Sequence, residues 1–310
     1  MAEYVIAADV GGTNIRAAAV DEGGGIHGRT SAKTPREGTR GELVECIASI
    51  ARELAEKTTA TDFGLAIPAL IDYENELISK SPNLPQLEGS EFAKEITERS
   101  GLNVIFENDA TAAAIGEHWL GASKGAMNAF CITLGTGVGG GLILNGKAFR
   151  GVDGTAGEIG HVCVEPDGPP CGCGSNGCLE QFASATAIVR MANEGLANCP
   201  ESPLTSIDSF SAKDVFEAGI KGDRLAVEVY ATAGRYLGIA IAGLVNVLNL
   251  EVVVIAGGVS AAFDLFIGET RSEVRKRAFQ QPAERVNIVR GALGNNAGIL
   301  GAARQAFARR

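Results

Sequence analysis

Histidine is scarce in this chain: three residues in 310. Basic residues are outnumbered, 27 Lys and Arg against 37 Asp and Glu, for a net charge of -10. A dominant nucleic-acid surface needs the opposite balance, so no nucleic-acid partner is expected. Long apolar runs are also lacking. The longest, Tyr236 to Leu248, contains Asn246 and falls short of the roughly 20 apolar residues of a membrane span, so no membrane partner is expected. The chain opens on strand-like VIAADV rather than the basic and then apolar stretch of a secretory signal. Seven cysteines, an odd number in a long chain, do not make a disulfide framework. They fit a reducing cytoplasm with metal ligation, and a cytoplasmic location is expected.

What the chain does have is length for two domains with sizeable cores, 45% hydrophobic residues and 41 glycines. Its most unusual stretch is Gly157 to Ser184, which holds one of the histidines and four of the cysteines. His161, Cys171, Cys173 and Cys178 form a His-x9-Cys-x-Cys-x4-Cys array. Glycines 172, 174 and 177 let the backbone fold tightly enough for the thiols to converge. Thiolate and imidazole donors in a set of four suit tetrahedral Zn2+, with no open position for catalysis. A direct disulfide across Cys171-Gly172-Cys173 would be badly strained. Unligated cysteines in a Gly-rich loop are the competing reading. Cys163 reads as a strand residue, although it is also a possible substitute ligand.

Glu158 and Glu180 flank the array. Glu158-Ile159-Gly160-His161, followed by Cys-Gly-Cys-Gly-x3-Cys-Leu-Glu, resembles the signature of the ROK family, which includes sugar kinases and some repressors. Two glycine turns extend the resemblance. Tyr4 to Ala8 and Ile15 to Val20 read as strands around Asp9-Val10-Gly11-Gly12-Thr13-Asn14. Cys131 to Leu134 and Leu142 to Leu144 flank Gly135-Thr136-Gly137-Val138-Gly139-Gly140-Gly141. Neither is a GxxxxGK[ST] P-loop, and a strand follows Gly137-Val138-Gly139 where a Rossmann motif needs a helix. Paired phosphate-facing hairpins resemble the actin/hexokinase/Hsp70-like ATPase fold. The expected architecture is α/β, two lobes of the actin-like ATPase (ribonuclease H-like) fold with an interdomain cleft. The expected division is 1–118 plus 297–310 for the smaller lobe and 119–296 for the larger.

Helices are expected over Gly41 to Lys57, Phe92 to Arg99, Ala110 to Leu120, Ala183 to Asn193 and Asp223 to Leu250, with Glu201 to Ala212 a polar loop. Asn108-Asp109 sits where a strand gives way to a helix. Either residue suits an N-cap, but one cap needs only one of them. The resemblance implies that Asp109 is the catalytic base, with the sugar held by Asn83, Asn108, Asp109, Glu158, His161 and Glu180. It also implies ATP and Mg2+ at Asp9, Gly11, Gly12, Thr13, Asn14, Thr136, Gly137 and the strand–turn–helix at Gly257-Gly258. Family kinases tend to carry Gly after the proline at position 68, where this chain has Ala69. The implied activity is ATP-dependent phosphorylation of a hexose, most of all glucose to glucose 6-phosphate, with a broad-specificity kinase or one for mannose, fructose or an N-acetylhexosamine as alternatives. A sugar-responsive regulator is the other class. Family repressors carry a helix-turn-helix ahead of the first hairpin; with Asp9 so near the start of the sequence, the kinase reading is the expected one. A homodimer or tetramer is expected.

Overall fold

The computed structural model describes residues 3–89 and 91–309. In chain order its strands are β1 (Tyr4–Val10), β2 (Asn14–Asp21), β3 (Ile26–Lys33), β4 (Asp62–Ile67), β5 (Leu70–Asp72), β6 (Leu77–Lys80), β7 (Asn103–Asn108), β8 (Ala129–Leu134), β9 (Val138–Leu144), β10 (Lys147–Phe149), β11 (Val252–Ala256) and β12 (Asn287–Arg290). The helices are α1 (Arg40–Ala55), α2 (Phe92–Ser100), α3 (Asp109–Leu120), α4 (Glu180–Ala183), α5 (Ala185–Gly195), α6 (Ala212–Ile220), α7 (Arg224–Leu248), α8 (Phe263–Arg277), α9 (Gln280–Arg285) and α10 (Ala297–Ala308). The chain divides into two compact units, residues 1–125, 141–157 and 292–310 in the first and 126–140 and 158–291 in the second. Residues 119–125, 141–157 and 292–296 therefore group with the first unit, unlike in the sequence-based division.

The first unit is built on a five-stranded sheet, β3-β2-β1-β4-β7. β1 pairs antiparallel with β2 and parallel with β4, which pairs parallel with β7. β1 is apolar at nearly every position because both its faces are covered. Ile6, Ala8 and Val10 join the cluster of Leu43, Ile47, Phe63 and Phe92, on the side of α1 and α2. Val5 and Ala7 join Ala112, Ile299, Ala302 and Ala303, on the side of α3 and α10. Helix α1 starts where a capping box allows it: the Thr39 side chain accepts from the Glu42 amide, and the Glu42 carboxylate accepts in return from the Thr39 amide.

In the second unit β8, β11 and β12 form a parallel ladder. The full sheet order is β10-β9-β8-β11-β12, and the unit boundary crosses β9 between Gly140 and Gly141. Helix α7 begins at Arg224, well before the apolar run noted in the sequence, and is long and apolar enough to cross a membrane by length and composition. It packs against α5, α6 and α8, and Leu225, Val229, Leu237, Ile241 and Val245 are buried there. Three local elements differ from the sequence expectation. Cys163 is in no strand; it makes an isolated bridge to Cys178. The helix expected from Ala183 is two helices, because Ser184 adopts an extended conformation and caps α5 by accepting from the Ala187 amide. A 3-10 turn, Gly258–Ala262, separates Gly257 from α8.

Candidate active site

In the first unit, β7 and α3 meet without a connecting residue. Asn108 is the N-cap of α3: its Oδ1 accepts from the Thr111 amide at 2.9 Å. Its Nδ2 donates to the Ala69 carbonyl at 3.2 Å. Each end of the amide keeps one further hydrogen-bonding capacity. The cap thus accounts for Asn108 and not for Asp109. Asp109 opens the helix half-buried, with Oδ1 accepting from the Ala110 amide at 2.8 Å. Asn83 is exposed in the loop after β6. Its loop is tied down by buried Ser81, whose hydroxyl donates to the Pro68 carbonyl at 2.8 Å. Pro68-Ala69 therefore links the Asn83 loop to Asn108. At the departure, Ala69 buries its methyl, and its carbonyl makes the link.

The β1–β2 turn lies in the same unit. It is closed by the Gly11 amide donating to the Asn14 carbonyl at 3.0 Å and by the Thr34 hydroxyl donating to the Gly11 carbonyl at 2.6 Å. Thr13 and Asn14 are exposed at its tip. A Cβ at Gly12 would meet nothing within 4 Å, so the fold itself does not demand glycine there. Asp9, beneath the turn, stands opposite Arg16 in the β1–β2 register. Burial pushes its carboxyl up, and Arg16 opposes that rise.

In the second unit the β8–β9 turn is closed by the Gly135 amide donating to the Gly137 carbonyl at 2.9 Å. The Ala185 amide donates to the Gly135 carbonyl at 2.8 Å, and the Thr186 hydroxyl donates to the Thr136 carbonyl at 2.9 Å. The turn is thus stitched to the start of α5. The sequence reading gave Gly137 to phosphate approach alone, but a protein group already lies against it. A Cβ at Gly137 would stand 2.4 Å from Glu180 Oε2, and that oxygen accepts from the Val138 amide at 2.9 Å. Gly257 has φ +84° and lies against the Leu134 carbonyl, 2.4 Å from where a Cβ would be, so it is required by the fold. Beside these turns is a cavity of about 400 Å³ lined by Gly135, Thr136, Ser211, Phe216, Tyr230 and Gly258, among others. Ser211, Phe216 and Tyr230 were not singled out from the sequence. The Ser211–Asp214 capping box is a local signal that marks the start of α6.

His161 ends a 3-10 turn, Ile159–His161, directly after Glu158. Burial pushes the Glu158 carboxyl up; His161 opposes this and Glu180 adds to it. One donor atom from each of His161, Cys171, Cys173 and Cys178 lies within 4.8 Å of the others. Cys173 Sγ is 3.6 Å from Cys178 Sγ, and Cys171 Sγ is 3.6 Å from His161 Nδ1. A tetrahedral ion with bonds of about 2.3 Å to sulfur requires an edge of about 3.8 Å, so the donor set fits such an ion. Burial pushes the Cys178 thiol up to about 12, while the Ser175 amide leads the lowering at Cys173. A bound cation would hold both as thiolates. The exposed Cys163 thiol is outside the group of four.

The ROK family profile matches residues 5–308. A glucokinase of Thermotoga maritima is 36% identical over 303 residues, covering 96% of each chain. A ROK family glucokinase of Streptomyces griseus, solved in complex with glucose and AMPPNP, superposes with a TM-score of 0.86 at 34% identity, covering 98% of this chain and 99% of that one. The xylose repressor of Bacillus subtilis is 30% identical over 238 residues, 77% of this chain but 59% of the repressor. With the signature at Glu158–Glu180 and a match running almost from end to end, this chain belongs to the ROK family.

Proposed function

We propose that this chain is an ATP-dependent hexokinase of the glucokinase type, converting glucose to glucose 6-phosphate. Near-full-length similarity to glucokinases supports the class. The observation that carries the chemistry is at the head of α3, where Asn108 supplies the N-cap and Asp109 places a half-buried carboxylate on the first residue of the helix. Asp109 is assigned as the general base. As the sugar hydroxyl oxygen attacks the γ-phosphorus, its proton passes to the Asp109 carboxylate. The new O–P bond forms, the bond from the γ-phosphorus to the β-γ bridging oxygen breaks, and ADP leaves. Asn83, Asn108, Glu158, His161 and Glu180 are assigned to the remaining sugar hydroxyls.

The open backbone at Gly12 and Gly258 suits close approach of a nucleotide. The cavity beside Thr136 and Gly258 suits the nucleoside end, with Phe216 and Tyr230 as apolar walls. Asp9 is assigned to Mg2+, which would neutralise phosphate charge when bound, and a buried carboxylate gains from a cation. His161, Cys171, Cys173 and Cys178 are assigned to a structural Zn2+. Nδ1 of His161 faces the sulfurs, which reserves Nε2 for a sugar hydroxyl.

The test is coupled ADP release across a panel of glucose, mannose, fructose and N-acetylglucosamine. Glucose should give the highest kcat/KM. Sugar binding without any sugar-dependent ADP release would instead put the chain with its repressor relatives.

A further inference from the structure

Glu107 precedes Asn108-Asp109 and has no place in the proposed chemistry, yet it is only 1% exposed. A buried carboxylate is costly unless several donors meet it. Here four groups do. The Tyr73 hydroxyl donates to Oε1, and the Arg150 guanidinium reaches both oxygens, with Nε 3.0 Å from Oε2 and 3.3 Å from Oε1. Gln305 Nε2 donates to Oε2 at 2.7 Å. The Asn108 backbone amide points at Oε1, 3.1 Å away, and at the Tyr73 hydroxyl, 3.3 Å away. Arg150 also stands 4.9 Å above the centre of the Tyr73 ring.

These partners come from separate segments of the first unit. Tyr73 follows β5, only a few residues after the Pro68-Ala69 link to Asn108. Arg150 follows β10 and begins the loop leading to Glu158; its carbonyl accepts from the Ala156 amide at 3.0 Å. Gln305 is on α10. The amide of Asn108 is thereby fixed from outside the β4–β7 ladder, one residue before Asp109.

The geometry points to the Glu107–Tyr73–Arg150 cluster as a positioning device for the phosphoryl-transfer base. This inference rests on the assignment of Asp109 as that base. Tyr73 and Arg150 hold the end of β7 in one orientation through Glu107, and so set the direction in which the Asp109 carboxylate leaves the head of α3. Misplacing a reacting group by about 1 Å costs on the order of 10²-fold in rate, so loosening this hold should appear in kcat.

Tyr73→Phe is the cleanest probe, since it removes one hydroxyl and keeps the ring under Arg150. Arg150→Lys is the second, since an ammonium keeps the charge but cannot span both oxygens of Glu107. Both variants should fold, lose kcat about 10-fold, and keep KM for ATP within about two-fold, the split expected when a transition-state interaction is lost. In an Asp109→Asn background the Tyr73→Phe loss should vanish, because there is no base left to misdirect. Folded Tyr73→Phe and Arg150→Lys variants with wild-type kcat would overturn the proposal while leaving the kinase reading intact. So would a Tyr73→Phe loss that persists in full beside Asp109→Asn. A wild-type protein with no hexose-dependent ADP release would overturn the kinase reading, and this inference with it.

Discussion

A single methyl group at Gly137 tests how the β8–β9 turn is linked to Glu180, one of the residues assigned to the sugar. An ideal Cβ there would be 2.4 Å from Glu180 Oε2. That is about 1 Å short of ordinary contact, so one partner must move. The turn is held by the bonds from Gly135, Ala185 and Thr186, whereas Oε2 is the far end of a flexible side chain. The carboxylate will therefore swing away and lose the 2.9 Å bond from the Val138 amide. A hydrogen bond to a charged group contributes about 1.5–3 kcal/mol. At about 1.4 kcal/mol per tenfold, a Glu180 no longer preorganised for the sugar should weaken glucose binding about 10–100-fold. Gly137→Ala should consequently fold, with glucose affinity by calorimetry or KM falling by that factor. A variant confined to the phosphate site would raise only KM for ATP. In Glu180→Ala/Gly137→Ala the added methyl has nothing to strike and should have no further effect on glucose. Unchanged glucose affinity in Gly137→Ala, or a full effect of the methyl beside Glu180→Ala, would refute the reasoning.

Removing one thiolate should empty the proposed metal site: Cys173→Ser should lose the roughly one zinc per chain found by elemental analysis of the wild type, melt at lower temperature and bind glucose more weakly. A wild-type chain free of metal and fully active would contradict that assignment. Asp9 should show a trade of stability for function. Its carboxyl is raised by burial, with Arg16 opposing, so the unfolded chain gives up that proton first. The resulting destabilisation is absent below the unfolded pKa, grows as pH rises towards the folded pKa and is complete above it. Asp9→Asn should therefore raise the ligand-free melting temperature at neutral pH, at about 2–4 °C per kcal/mol recovered, and raise KM for MgATP about tenfold or more. A lowered melting temperature with normal KM would reverse both assignments.

What could be read from the chain alone follows the range of the forces involved. The β1–β2 hairpin, the start of α3 and the converging cysteines are set by neighbours within a few residues, and alternating or capped patterns report them. The break at Ser184 depends on its side chain choosing the cap over the helix, which composition does not decide. Cys163 meets Cys178 in a lone bridge only once the Cys171–Cys178 loop has folded back. The cavity beside Thr136 joins α6 and α7 to two turns over a hundred residues apart in sequence, and no local motif marks Tyr230 as its wall. Glu107 reads as an ordinary strand-end residue until Tyr73, Arg150 and Gln305 are folded against it. The glycine at 137 is explained differently by sequence and structure for the same reason, since Glu180 is brought to it only in the fold.

The central claim is that Asp109 takes the proton from a hexose hydroxyl as ATP delivers its phosphoryl group. Its most direct test is glucose-dependent ADP release by the wild type and by Asp109→Asn, measured together with glucose affinity. Asp109→Asn keeps the first residue of α3 nearly isosteric while the cap stays with Asn108. The account predicts a folded variant that still binds glucose and whose kcat falls by about 10²–10⁴. A purified, folded Asp109→Asn protein with wild-type kcat would contradict it.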